Sequence, residues 1–356
     1  MTSSLSKLLF ALPPETAHGL VKYLSHVFPA ELLTPFTSVS SPVLKTQIGP
    51  LTLENPVGLA AGFDKNADML GLCRGLGFGF VELGSVTALP CPGKVKPRVF
   101  RLPKDKSLIN RMGLPNIGAE AFAKKAQHII NSKIPCGINI AKTPDFAYGE
   151  KKFTHGLEDF LFSYEKLHYM GSYTTFNLSC PNTDEDKTFE DPLIFADLAR
   201  ELAALRKTLN DKKPVLFKLS PDLAYEDVKA VVETAVKWGF DGFVIANTTR
   251  QRPKIAKSLT QIKKIGDGGL SGLALHDIST KQLARVYSMV GREKILMGVG
   301  GVMDLKTALQ KFMVGAQAIQ VYTGLVYGGP FFVKNLNQKL VRYCKQNKME
   351  NIAHVI

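Results

Sequence analysis

The sequence predicts a (β/α)8 barrel with a small helical extension at its N-terminus. Three observations point there. Eight short apolar segments recur between residues 55 and 324, most of them opened by Gly, Pro, Asp or Asn, which is how strands of a fully covered parallel sheet read. Stretches of helical period separate most of them. The chain has 356 residues, 45% hydrophobic and 21% charged, enough for one large folded domain or two ordinary ones. A doubly wound open sheet is the competing arrangement.

Taken in order, residues 1–40 form the extension and residues 41–356 the barrel. Leu5, Leu8, Leu9 and Leu12 fall on one helical face, and Pro13 and Pro14 stop that helix and start another. In the second helix Ala17, Leu20, Val21, Leu24, Val27 and Phe28 form an apolar face, and Pro29 ends it. Pro35 and the TSVSSP stretch read as a linker. Two such helices cannot bury themselves, so they lie on the barrel, on a partner or on a membrane surface. LKTQIGPLTLEN reads as a hairpin. The strands are then NPVGLAAG, FGFVELGSV, PCGINIAK, YTTFNLSC, PVLFKLSP, DGFVIANTT, ILMGVGGV and AQAIQVYTG. Helices include EDFLFSYEKLHYM, FADLARELAALRKTL, EDVKAVVETAVKWG and DISTKQLARVYSMV.

Composition narrows the function classes. The formal net charge is +14, which leaves nucleic acid, an anionic membrane surface or small anionic ligands as partners. No run approaches the roughly 18–20 apolar residues of a membrane span. The five cysteines, Cys73, Cys91, Cys136, Cys180 and Cys344, are widely spaced with no CxxC pair, which fits free thiols better than disulfides or zinc. The first residues read neither as a secretory signal nor as an Arg-rich mitochondrial presequence. No metal-ligand spacing and no dinucleotide GxGxxG appear.

A barrel carries its chemistry at the C-terminal ends of its strands. The polar residues there are Gly62, Asp64 and Lys65, then Ser85, Asn139, Asn177, Cys180, Asn182 and Thr183, Lys218, Asn247 and Thr248. Several amides converging on one rim suit a planar heterocycle with carbonyl and N–H groups. GVGGV after the seventh strand and VYTG after the eighth occupy the common phosphate position of barrel enzymes, and GDGGLSG offers further backbone donors. A phosphorylated cofactor follows. Lys218, inside the apolar VLFKLSP strand, is costly to bury alone and faces an anion or an electron-rich ring.

These motifs resemble the dihydroorotate dehydrogenase family. GLAAGFDKNADML, FVELGSVT, KPRVFRL with LINRMG, NLSCPNT, FKLSPDL, NTT, GGLSG, GVGGV and VYTG occur in family order across most of residues 44–330. LFALPPETAHGL resembles the extension of class 2, the membrane-associated, quinone-reducing branch. The resemblance implies FMN held by Ala60, Ala61, Gly62, Ser85, Asn139, Asn177, Lys218 and Ala246. Ser271, Gly272, Gly300, Gly301, Tyr322 and Thr323 would hold its ribityl chain and phosphate. It implies a pyrimidine substrate bound by Lys65, Asn110, Arg111, Met112, Gly113, Leu114, Asn177, Asn182, Asn247 and Thr248. His18 and Arg101 match positions near the quinone entrance.

The implied activity is oxidation of dihydroorotate to orotate in pyrimidine synthesis, with a quinone as acceptor. The implied setting is a monomer on the cytoplasmic face of a bacterial-type cell membrane rather than the mitochondrial inner membrane, with no nucleic-acid partner. Two features depart from class 2. Cys180 stands where that class has a serine base, as in class 1, and keeps fumarate or a nicotinamide open as alternative acceptors. A thiol, with a free pKa of about 8.5, acts as base with less help than a hydroxyl. DEDKTFED replaces the family's PGLR loop, and AKTP follows Asn139 where the family has GKNK.

Overall fold

A computed structural model describes residues 9–148, 156–179, 189–252, 255 and 258–355. Strands β1 (Thr46–Ile48) and β2 (Leu51–Leu53) form the antiparallel hairpin. Strands β3 (Val57–Leu59) and β4 (Phe80–Val86) open the barrel, while β5 (Val99–Leu102) and β6 (Ser107–Asn110) leave it. The chain returns through β7 (Cys136–Ala141), β8 (Tyr173–Asn177), β9 (Val215–Leu219) and β10 (Gly242–Ile245). After β11 (Gly269–Gly272), β12 (Ile295–Val299) and β13 (Ala318–Val321) complete it. The eight barrel strands pair in parallel in chain order, β13 back onto β3, and they are the eight segments the sequence predicts. Each is buried along its whole length, as a sheet covered on both faces requires.

Two apolar layers result. Outside the sheet, Phe160, Phe176, Phe195, Phe217 and Phe240 pack edge to face under the helices, with Phe195–Phe217 and Phe217–Phe240 centroids 4.9 and 4.8 Å apart. Inside it, Phe80, Leu216, Ile295 and Met297 form a cluster with Ile48 and Leu53 of the hairpin. The hairpin therefore stoppers the barrel where its strands begin. Above that layer lies Glu82, wholly buried, a placement that costs several kcal/mol unless fully hydrogen-bonded. Asn139 and Gln320 each donate to it at 2.7 Å, and the Thr175 and Tyr173 hydroxyls at 3.2 and 3.3 Å.

The expected helices are Gly156–Leu167, Pro192–Thr208, Tyr225–Lys237 and His276–Val290. Asp191 caps the second by accepting from the Leu193 N–H at 3.0 Å. Two expectations need correction. Pro35 and TSVSSP were expected as a linker, but Pro35 and Thr37 belong to the helical turn Thr34–Thr37, docked after Ala30–Leu33, and only residues 38–41 are irregular. The buried Thr37 hydroxyl lies on the Gly75 carbonyl, so the segment is pinned to the barrel. The sequence reading also omitted β5, β6 and β11, which form a three-stranded antiparallel sheet over the rim.

The N-terminal helix Pro14–Val27 lies on the rim beside β5. Glu15 accepts the Arg98 N–H at 2.9 Å, and Lys22 pairs with Asp68 at 2.6 Å. The Arg101 guanidinium donates to the Leu9, Phe10 and Leu12 carbonyls at 3.3, 3.0 and 2.6 Å and lies over the Phe10 ring. The expected apolar stripe divides. Ala17 is buried against the barrel, and Val21 and Leu24 are half-buried. Tyr23, Phe28, Leu32 and Phe36 are each more than 60% exposed, so large apolar side chains in this one segment face outward. Leu5 and Leu8 lie outside the described residues. Among those described, no helix is long and apolar enough to cross a membrane.

Candidate active site

A cavity opens at the C-terminal ends of the barrel strands, with an empty volume of ≈ 1130 Å³ counted to its mouth. Nearly every strand supplies part of its wall. Ala60, Ala61, Gly62 and Lys65 follow β3, Ser85 ends β4, Asn177 ends β8 and Lys218 lies in β9. Ala246, Asn247 and Thr248 follow β10, Gly300 and Gly301 follow β12, and Tyr322 and Thr323 follow β13. The rim sheet adds Asn110, Met112 and Leu114 after β6, and Ser271 and Gly272 from β11.

Five expected residues stand off this wall, His18 among them at its edge. Asn139 is wholly buried one layer below, where its Oδ1 accepts from the Ser85 hydroxyl and its Nδ2 donates to Glu82. Arg111 is turned away, donating to the Ile265 carbonyl at 2.7 Å with its guanidinium over Phe100. Gly113 is packed against Lys94 and Phe146, and its carbonyl accepts from Cys91. Arg101 holds the N-terminal carbonyls. Cys180, Asn182 and Thr183 lie outside the described residues.

Two halves of the cavity differ in chemistry. On the side of β8 and β10, Asn247 Nδ2 donates to Asn177 Oδ1 at 3.0 Å, to Ser179 Oγ at 3.1 Å and to the Ser179 carbonyl. Behind them Glu190 accepts the Ser220 N–H at 2.5 Å and a bond from Ser179. Burial pushes the Glu190 carboxyl up to about 8, the two hydrogen bonds opposing, so it holds its proton at neutral pH. Lys65 donates to the Gly62 carbonyl at 2.6 Å. Burial lowers its pKa to about 8, with Asp64 opposing and Arg98 adding to the fall.

On the side of β12 and β13 the wall is backbone and small side chains. Gly300 and Gly301 have φ of +99° and +74°, and a Cβ on Gly301 would lie 2.5 Å from His276. The turn therefore brings bare main chain to the cavity. Ser271 and Thr323 hydroxyls meet there at 2.9 Å. Between the halves sits Lys218, nearly buried, its pKa lowered by burial with the charge of Glu82 opposing.

At the edge, Phe63 makes edge contacts with Tyr322 and His18, at 5.5 and 5.1 Å, joining cavity wall to N-terminal helix. His18 donates from Nε2 to the Phe63 carbonyl at 2.8 Å, and burial followed by the Lys65 charge lowers its pKa, leaving it neutral.

Sequence reasoning overlooked Glu82, Gln320 and Glu190. The signal for Glu82 was available: a charge inside FVELGSV is the same pattern that singled out Lys218. Gln320 lines the cavity floor, and among the described residues its Oε1 is buried without a partner.

The residues present fit a flavin phosphate: a bare glycine turn and paired hydroxyls on one side, a cation and unpartnered acceptor at the floor. A sequence profile described as dihydroorotate dehydrogenase matches residues 43–343. The chain belongs to the dihydroorotate dehydrogenase family. It is 35% identical over 355 residues to the dihydroorotate dehydrogenase (quinone) of Corynebacterium glutamicum, covering 98% of this chain and 93% of that one. It is 38% identical over 323 residues to the dihydroorotate dehydrogenase (quinone) of a Cyanothece species, covering 89% and 84%. The crystal structure of the Eimeria tenella dihydroorotate dehydrogenase with ferulenol superposes with a TM-score of 0.85 at 28% identity, covering 96% of this chain and 94% of that one. The family's reaction depends on a flavin.

Proposed function

We propose that this chain oxidises dihydroorotate to orotate with FMN as its prosthetic group and a quinone as acceptor. Family membership and quinone-named relatives matched over nearly the whole chain support the reaction and its acceptor. One observation supports the residue roles most: a buried lysine, a bare glycine turn and a joined pair of amides wall a single cavity.

In this reading Gly300, Gly301, Ser271, Gly272 and Thr323 hold the cofactor's phosphate and chain. Ala60, Ala61, Gly62, Ser85, Ala246 and Tyr322 line its ring, and Lys218 faces it. A flavin held there would supply a hydride acceptor for the substrate and an electron carrier toward the quinone. Lys65 takes the substrate carboxylate as a charged hydrogen-bond donor. Asn177, Asn247, Asn110 and Thr248 orient the ring by amide and hydroxyl contacts, and Asn247 is itself fixed by Asn177 and Ser179. Cys180 removes the proton from the carbon beside the carbonyl. Asn139 acts from below by orienting Ser85.

In this reading the exposed apolar side chains of residues 20–36 lie on a membrane surface, the chain acts as a monomer on the cytoplasmic face, and quinone arrives under helix Pro14–Val27, near His18 and Arg101. Fumarate or a nicotinamide as acceptor is not favoured, because the relatives are quinone enzymes.

Two measurements test the reading. Purified protein is expected to be yellow and to bleach anaerobically on addition of dihydroorotate. Steady-state turnover is expected with a ubiquinone analogue and not with fumarate. A colourless protein, or turnover with fumarate alone, overturns it. A Cys180→Ala variant that bleaches at the parent rate removes the base from that position.

A further inference from the structure

Behind the Gly300–Gly301 turn, outside the barrel, lies a lysine for which the proposed reaction has no use. Lys311 belongs to helix Leu305–Met313 and is wholly buried. Its stem runs along the outer face of β12 at Gly298, where a Cβ would lie 3.2 Å from Lys311 Cδ. Its Nζ donates to Ser279 Oγ at 2.6 Å. That hydroxyl in turn reaches the Gly300 carbonyl at 3.1 Å and the His276 carbonyl at 3.0 Å. A Cβ on Gly300 would lie 2.8 Å from the same Ser279 oxygen. An ordered line thus runs from a buried ammonium, through one hydroxyl, to the backbone of the turn.

The charged and titratable groups around it leave the ammonium poorly balanced. Burial pushes the Lys311 pKa well below that of an ordinary lysine, and Asp277 of helix His276–Val290 opposes the fall only in part. His276, on the same helix, stays neutral because burial and Lys311 both lower its pKa, with Asp277 and Asp304 opposing. Gln310, from the lysine's own helix, bonds His276 Nε2 at 2.9 Å. A clamp on a carbonyl needs only a donor, which a neutral side chain supplies at far smaller desolvation cost. For the Lys311 amine to carry its full charge here, an anion has to stand on the other side of the turn.

We propose that Lys311 is a positioning residue that fixes the Gly300–Gly301 turn through Ser279 and supplies the buried positive charge that a phosphate monoester at that turn balances. This rests on the placement of the cofactor phosphate given above. A phosphate monoester has its second pKa near 6. With Lys311 behind it, the bound group remains a dianion well below that pH.

The test uses the holoenzyme as purified. Its phosphorus-31 resonance is followed from pH 5 to 8, and flavin release on dilution is timed by fluorescence. In the parent the resonance is expected not to titrate. In Lys311→Met it is expected to titrate near pH 6, with flavin released about tenfold faster. In Ser279→Ala, which keeps the lysine and cuts the line to the turn, release is expected to quicken by a smaller factor. A Lys311→Met enzyme with an invariant resonance and parent release overturns the proposal. So does faster release with an invariant resonance, since that is a packing effect alone. Should Lys311→Met not fold, parent-like release from Ser279→Ala overturns it. A parent resonance that titrates like a free monoester instead takes the phosphate away from the turn, and with it the reading of the site.

Discussion

The barrel mouth and the N-terminal segment are joined by a short run of rings, yet they are built on opposite terms. At the mouth, polar side chains are buried and tied to one another: Glu82 to four donors, Asn247 to Asn177 and Ser179. In the N-terminal segment, apolar side chains are exposed and a few polar contacts hold the helix down: Glu15, His18, Lys22 and Arg101. A polar group buried in a fixed network selects and orients a small molecule. An apolar group left in water waits for something else to cover it. The first region is arranged for chemistry and the second for contact, and the two should fail separately.

The most direct way to break the comparison is at Lys218. Lys218→Met is expected to slow flavin bleaching by dihydroorotate roughly 10²–10³-fold, the range for losing an electrostatic partner of developing charge. Stopped-flow absorbance reads this; a change under threefold would remove Lys218 from the chemistry.

pH sharpens the account of the mouth. Lys65 has its pKa depressed to about 8, so its cation is present below that pH and lost above it. The kcat/KM for dihydroorotate, which reports the free enzyme, is expected to fall about tenfold between pH 7 and 9 with this pKa. In Lys65→Met the value should be low and this limb absent.

Arg101 tests the other region. Removing its hold on the Leu9, Phe10 and Leu12 carbonyls is expected to lower quinone reduction about fivefold or more, the lower end of the roughly 1–3 kcal/mol that orphaned polar groups cost. The bleaching step should stay within twofold of the parent. Equal losses in both half-reactions of Arg101→Ala would mean that the regions are not separable.

The smallest effect concerns stability. Glu190 has a folded pKa of about 8 against an ordinary 4.5, so the folded state binds its proton more tightly than the unfolded chain does. Its contribution is favourable at low pH and is lost as pH rises from about 4.5 through about 8. Glu190→Gln should therefore gain stability on the parent over that window, by about 2 °C or more in Tm at pH 8. A Tm difference independent of pH would contradict the shift.

The strands and most of the wall were legible because parallel strands are apolar on both faces and end in turns, so a polar residue at a strand end stands out. Depth was not legible. Asn139 and Ser85 both follow the inward pattern, but the pairing of Asn139 with Gly84 sets the amide one layer down. Arg111 sits in the right motif, and its direction is decided by Ile265 and Phe100, more than ten residues away on either side. The rim sheet escaped notice because β5, β6 and β11 have four residues each, too few to show a period. Lys311 reads in sequence as one more surface helix lysine. The small size of Gly298, a residue of another element, leaves room for its stem.

The hairpin of β1 and β2 has a consequence for traffic. With Ile48 and Leu53 wedged among Phe80, Ile295 and Met297, the barrel is a cup rather than a pipe. Whatever reaches the bottom of a cup comes and goes over its lip. Two reactants of unlike polarity can then be served only by dividing the lip between them or by taking turns. The division is already drawn: amides on one arc, an oily helix on another.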